Sequence, residues 1–272
     1  MNAVTGLSSI EADRVDALHE WWRTAVDRFV GHDSRRSIVL VGNGCTVGHA
    51  ADVVRPGASV NKVFVSVAAH LLAAEGQLDL DSSVSVADLP GSINPSVLDS
   101  LSPTHRFSTG ELSRLALATG DNRIAEHLVL LLGAERVNAV AASLGCPGTQ
   151  LHVGFADEML SARGRANVTT AADCATVLDA VFRLPVLAPL RPALRSSLFN
   201  SRILLRMPDE IIVSHKTGSL AGVVNDVGVI HAPSGDLIAC FLTDGQDDSA
   251  HTSADIGACA RAALDAWEAR PR

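Results

Sequence analysis

The chain has 272 residues, a net charge of −8 at pH 7, and 47% hydrophobic against 19% charged residues, the balance of a soluble globular protein. No basic cluster is denser than Arg35-Arg36, and no apolar run reaches the roughly 18 residues of a membrane span. Nucleic acid and membrane are therefore not expected partners. The N-terminal stretch carries acids and no apolar core of signal-peptide length, and Cys45, Cys146, Cys174, Cys240 and Cys259 show neither zinc nor redox spacing. The expectation is a cytoplasmic protein.

In chain order, residues 8–30 predict an amphipathic helix, with Ile10, Leu18, Trp22, Val26 and Phe29 at the helical period. Ser37–Gly42 reads as an apolar strand, Asn43-Gly44 as a hairpin turn and Cys45–His49 as the returning strand. Pro56 and Gly57 break the pattern before Ser59. Helices are then expected over 59–74, over 109–118 behind the capping box Ser108–Glu111, from Asn122, over 134–144, and from the Thr170–Asp173 cap to Arg183. Residues 79–107 read as mostly loop and 185–208 as a helix-turn connection. Strands return at 211–216, 223–231 and 237–243, and 253–268 closes the chain as a helix. Strands at both ends with helices between them make an α/β architecture. Residues 1–58 with 209–272 form a sheet-bearing lobe, 59–208 form an inserted helical lobe, and the seam between them is the natural ligand cleft.

Three stretches carry chemistry. Ser59 and Lys62 stand three residues apart at a predicted helix start, so hydroxyl and amine converge on one face. A base beside the hydroxyl makes serine a nucleophile, and free N–H groups of the first helical turn can hold an oxyanion. An N-cap serine followed by an exposed lysine has the same spelling. Thr119-Gly120-Asp121-Asn122 lies between two helices. It reads either as a capping loop or as a platform in which Asn122 bonds substrate and the Lys62 amine while Asp121 anchors the loop. His127, one turn on, reads as packing. In Ser214-His-Lys216-Thr217-Gly218-Ser219, Lys216 and Thr217 would offer a cation and a hydroxyl to a substrate carboxylate, and Lys216 would depress the basicity of Lys62. Gly218 would let a ligand approach the backbone, and the Ser219 N–H would join that of Ser59 in an oxyanion hole. An edge strand running into a turn is the alternative.

Taken together, Ser-x-x-Lys, x-Asp-Asn and Lys-Thr-Gly in this order resemble the class A β-lactamases and the penicillin-recognising acyl transferases along nearly the whole chain. Gly164–Asp173 is similar to the segment leaving that family's Ω-loop, and His215–Ile230 to its core strand pair. The resemblance implies an antiparallel sheet built by both chain ends, flanked by terminal helices, with an all-α insertion. It implies catalysis by Ser59, Lys62, Asn122 and Lys216, an oxyanion hole at Ser59 and Ser219, substrate contacts at Gly120, Asp121, Thr217 and Gly218, and no metal or cofactor.

Two departures bear on activity. The family's loop serine, which hands a proton to the departing lactam nitrogen, aligns with Gly120, leaving Thr119 or water to substitute. No Glu-x-x-x-Asn precedes Asn167, so the deacylating glutamate has only Asp157 and Glu158 as acidic counterparts. The absence of tyrosine excludes the Tyr-x-Asn motif of the class C branch. The expectation is a serine hydrolase or acyl transferase acting on a small ester, thioester or strained amide. A genuine β-lactamase and a non-catalytic binder of lactam-like ligands are the alternatives.

Overall fold

Strands β7 (Ile212–Leu220), β8 (Val223–Ala232) and β9 (Gly235–Thr243) are buried on both faces for most of their length, so the sheet is covered on both sides. In the computed structural model, which describes residues 9–92, 94–155 and 166–269 (side chains from residue 16), that cover is helical throughout. The chain runs α1 (Ser9–Val30), β1 (Arg36–Gly42), β2 (Cys45–His49), β3 (Arg55–Pro56), α2 (Lys62–Ala74), β4 (Ser83–Ser85), β5 (Arg106–Ser108) and α3 (Thr109–Thr119). It continues through α4 (Asn122–Leu132), α5 (Ala134–Ser143), β6 (Val168–Thr169), α6 (Ala171–Arg183), α7 (Arg191–Arg195), the three long strands, and α8 (Ser249–Ala269).

The sheet is antiparallel with order β2-β1-β9-β8-β7, so strands from the two ends of the chain meet at the β1–β9 pair. Alternation sorts its side chains by face. Ile38, Leu40, Val213, Ile230 and Phe241 pack under the terminal helices α1 and α8, whereas Val39, Val227, Val229, Cys240 and Leu242 join the core of the helical segment. Trp22 stacks on Trp267 at 5.6 Å and donates Nε1–H to the Ala263 carbonyl at 3.0 Å, which ties α1 to α8. Gly42 passes beneath them, where a Cβ would stand 2.7 Å from the Trp267 ring.

Helix α2 is buried almost all round, from Lys62 to His70 and again at Leu72. A helix apolar on every face sits at the centre of its neighbours, so the lysine at its first position is drawn inside with it. The segment 79–107 is more ordered than a plain loop: β4 pairs with β5, and short 3₁₀ turns occupy Val86–Asp88 and Val97–Ser100. These strands are too short for periodicity to reveal. Among the described residues, no helix is long and apolar enough to cross a membrane.

Trp22 is fully buried and stacked. Trp22→Ala should therefore destabilise the fold by about 3–5 kcal/mol, measured as a lower urea midpoint with an unchanged slope.

Candidate active site

The turn carrying Ser59 is pinned on three sides. Behind it, β3 pairs with β6, the Gly57 N–H donates to the Asn167 carbonyl at 2.8 Å, and Asn61 Nδ2 donates to the Val168 carbonyl at 3.1 Å. From the sheet, Asn225 Nδ2 donates to the Pro56 carbonyl at 2.8 Å while its Oδ1 accepts from the Thr243 N–H at 2.8 Å. In front, Gly218 of β7 presses on the turn, and a Cβ there would lie 2.8 Å from the Gly57 carbonyl oxygen and 3.1 Å from the Ser59 amide nitrogen. Ala58, immediately before Ser59, is held at φ +49°, a conformation its Cβ disfavours.

Ser59 does not open the α-helix. It lies in a 3₁₀ turn, Ala58–Asn61, and α2 begins at Lys62. Because residues i and i+3 eclipse in a 3₁₀ turn, the change brings hydroxyl and amine into line: Lys62 Nζ is 3.1 Å from Ser59 Oγ. The same amine donates to the Gly120 carbonyl at 2.5 Å and to Asn122 Oδ1 at 2.6 Å, and lies 5.1 Å from the centre of the Phe155 ring. With Lys62 fully buried, these acceptors supply the partners its ammonium form needs.

Gly120 ends α3 at φ +70°, a left-handed cap for which glycine is suited. Asp121 caps α4, and of its two expected roles, loop anchor and substrate contact, the geometry supports the first. Its Oδ1 accepts from the Arg123 and Ile124 N–H groups, and its Oδ2 accepts from Ser96 Oγ at 2.6 Å and the Val97 N–H at 2.9 Å. Four internal donors occupy the carboxylate, so Asp121 holds the loop rather than the substrate. Thr119 is also committed, donating its hydroxyl to the Leu115 carbonyl at 2.7 Å. His127 makes none of these contacts, and burial lowers its basicity.

The Lys-Thr-Gly segment lies within β7, which runs on to Leu220 rather than ending at Lys216, because its register with β8 continues to the Leu220–Val223 pair. Lys216 is 1% exposed; burial, opposed by Asp226 and reinforced by Arg202, pulls its amine down to about 8. Among the described residues its one hydrogen bond is to the Thr217 carbonyl at 3.1 Å, and the Phe199 ring lies 5.9 Å away. Ser59, Asn122, Lys216, Thr217 and Ser219 line one cleft of about 250 Å³, together with Gly120.

Several contributors carry no motif. Arg202, buried behind β7, donates to the carbonyls of Gly218 (2.9 Å) and Asn225 and to Ser219 Oγ. It thereby fixes the strand that presents the Ser219 N–H. His215 pairs with Asp226 (Nδ1 to Oδ1, 2.9 Å), both fully buried beside Lys216. Phe155 and Phe199 enter from loops. Asp157 and Glu158 lie outside the described residues. Among the described residues, no cluster of three or more His, Cys, Asp or Glu side chains is placed to hold a metal.

A second serine needs a decision. Ser214 Oγ is 2.9 Å from His231 Nε2, and His231 Nδ1 is 2.9 Å from Asp236 Oδ1, the contact order of a hydrolytic triad. Ser214 is 2% exposed in the middle of β7, where no carbonyl can reach it. Ser59, by contrast, lines the cleft with an amine 3.1 Å from its hydroxyl.

The sequence profile of the beta-lactamase enzyme family matches residues 25–267. The chain belongs to that family. Its fold is similar to a beta-lactamase from Sphaerobacter thermophilus DSM 20745, with 26% identity over 93% of this chain and 99% of the other and a TM-score of 0.80. It is also similar to a class A beta-lactamase representative from Bacteroides cellulosilyticus DSM 14838, at 21% identity, 92% and 98% coverage and a TM-score of 0.81. The structure of PBP-A is similar at 19% identity, 93% and 96% coverage and a TM-score of 0.77. Among curated proteins, none matches the chain. The family's α/β fold, an antiparallel sheet from both chain ends with terminal helices beside it, is thus the fold observed.

The Asp121 assignment separates by measurement. Asp121→Ala should lower stability by roughly 2–4 kcal/mol, because four donors lose their acceptor, and should reduce kcat while KM holds. A raised KM at unchanged stability would instead place Asp121 on the substrate.

Proposed function

We propose that the protein is a serine hydrolase that forms an acyl-enzyme at Ser59, acting on a small-molecule ester, thioester or strained amide. The observation that carries this reading is the 3.1 Å contact between Lys62 Nζ and Ser59 Oγ inside the cleft. In the neutral form of Lys62, its lone pair accepts the Ser59 proton as Oγ bonds to the carbonyl carbon. The Ser59 and Ser219 N–H groups receive the oxyanion. The C–O, C–S or C–N bond to the leaving atom then breaks, the leaving atom takes up the proton from Lys62, and water or another acceptor removes the acyl group from Ser59.

Gly120 and Thr119 together favour an ester or thioester. Glycine brings no hydroxyl to the leaving group, and the Thr119 hydroxyl is spent on Leu115. An amine leaving group needs a proton more than an alkoxide or thiolate does, and general acid catalysis is worth about 10²–10⁴-fold. A β-lactamase is the second reading, favoured by the family match and by the relative described as a beta-lactamase. A cytoplasmic setting accompanies the proposal, supported by five buried free cysteines.

The deciding experiment is intact mass spectrometry of the wild type and Ser59→Ala mixed separately with p-nitrophenyl acetate, a cephalosporin and a penicillin. An acyl adduct or turnover with the ester that depends on Ser59, with little penicillin turnover, is expected. Fast penicillin turnover would transfer the assignment to the β-lactamase. No adduct from any of the three would remove both and leave a binding protein.

Lys216 adds a pH signature. Below about 8 it is protonated and attracts a substrate carboxylate, and the attraction is lost as pH rises through that value. The ratio of kcat/KM for a carboxylate-bearing ester to that for its neutral methyl ester should fall through a midpoint near 8. Any change in Lys62 cancels in that ratio. In Lys216→Arg the ratio should stay flat over the same range.

A further inference from the structure

The cleft has one large feature that the acyl-enzyme chemistry leaves unused. Phe199 lines it with 51% of its surface exposed, an unusual state for a ring held so firmly. The neighbours on either side fix it. The Leu198 N–H donates to the Ala118 carbonyl at 3.1 Å, and the Asn200 side-chain amide lies 3.3 Å from His215 Nε2. The ring stands at Gly120, where a Cβ would meet it at 3.2 Å and the Lys216 amine at 3.4 Å. The absent side chain at 120 is therefore what leaves one face of Phe199 open to the cleft.

The position of Lys62 decides which half of a substrate meets that face. Lys62 receives the Ser59 proton, so the leaving atom must depart within reach of Lys62 to recover it. On one side Lys62 is walled by the buried Phe155; on the other, it touches the Gly120 carbonyl. The Gly120 side leads to the exposed ring. Val97, 43% exposed, also lines the cleft and adds a second apolar surface.

We infer that Phe199 forms the leaving-group subsite, and that the alcohol or thiol half of the substrate is aromatic. This inference rests on the Ser59 acyl-enzyme reading and narrows it to aryl esters and aryl thioesters. A flat ring stacks on Phe199 without needing a hydrogen bond, and a phenolate or thiophenolate leaves without the hydroxyl that position 120 lacks. A cleft of about 250 Å³ leaves room for one ring and a short acyl group.

The test compares phenyl acetate with trifluoroethyl acetate, which share an acyl group and differ in leaving-group shape, on the wild type, Phe199→Leu and Phe199→Trp. The aryl-to-alkyl ratio of kcat/KM should fall roughly three- to tenfold in Phe199→Leu, through KM, and persist in Phe199→Trp. An equal ratio in all three proteins would overturn the subsite. Phenol binding by calorimetry, measured on Ser59→Ala with and without Phe199→Leu, reads the same subsite without turnover. Weaker binding by a similar factor supports it, and equal binding overturns it. If neither ester is turned over by the wild type, the hydrolase reading fails by itself, and phenol binding still decides the role of Phe199.

Discussion

Two lysine amines buried in one seam impose the constraint on which the rest of this site depends. Lys62 is fully buried and Lys216 nearly so, and a charged amine removed from water without partners costs several kcal/mol. The fold meets this demand differently at each. Around Lys62 it places a hydroxyl, a backbone carbonyl, a side-chain amide and an aromatic face. Around Lys216 it places one carbonyl and an aromatic edge, with Asp226 opposing and Arg202 adding to the loss of basicity. The better-provided amine sits beside Ser59. The less-provided one faces the cleft with donors to spare for an anion.

Holding those amines in place requires a rigid frame, and the sheet supplies it. Asn225 spans from β9 to the backbone before Ser59, Gly218 permits β7 to lie directly against the Ser59 turn, and Arg202 clamps β7 to β8 from behind. Helix α2, apolar on all sides, fixes the other half. Its central burial takes Lys62 inside with it. The strain at Ala58 falls at the junction of these two frames, where the chain leaves the sheet side and enters the helix. Preorganisation of this kind is what electrostatic stabilisation of an oxyanion needs.

Glycine at position 120, where the resemblance leads one to expect a serine, has a local logic. A left-handed helix cap suits glycine, and the vacated space is bordered by Phe199 and the Lys216 amine. On the proposed reading, glycine at this place changes the surroundings of the leaving group and leaves Ser59, Lys62 and Ser219 where they are.

Much of this was legible in the chain before any coordinates. Helical and strand periods placed most of the elements, glycine and proline marked the breaks, and three short motifs named Ser59, Lys62, Asn122 and Lys216. Those features are local, because each is written within a few consecutive residues by sterics, capping and side-chain alternation. Arg202, Phe199, Phe155 and Asn225 are of another kind. Arg202 is a lone cation in a loop, and its role follows from meeting Gly218, 16 residues on, and Asn225, 23 residues on. Asn225 reaches back 169 residues to Pro56. Asp121 reads from its segment both as the loop's anchor and as a substrate contact, because nothing there reveals that Ser96 and Val97 fold over it. The sequence by itself determined the family and the order of the elements, and it singled out Ser59 and Lys62 as a pair that would meet. Tertiary structure alone decided which buried groups face one another, since contacts across such separations depend on how helices and sheet pack and leave no periodic trace in the chain.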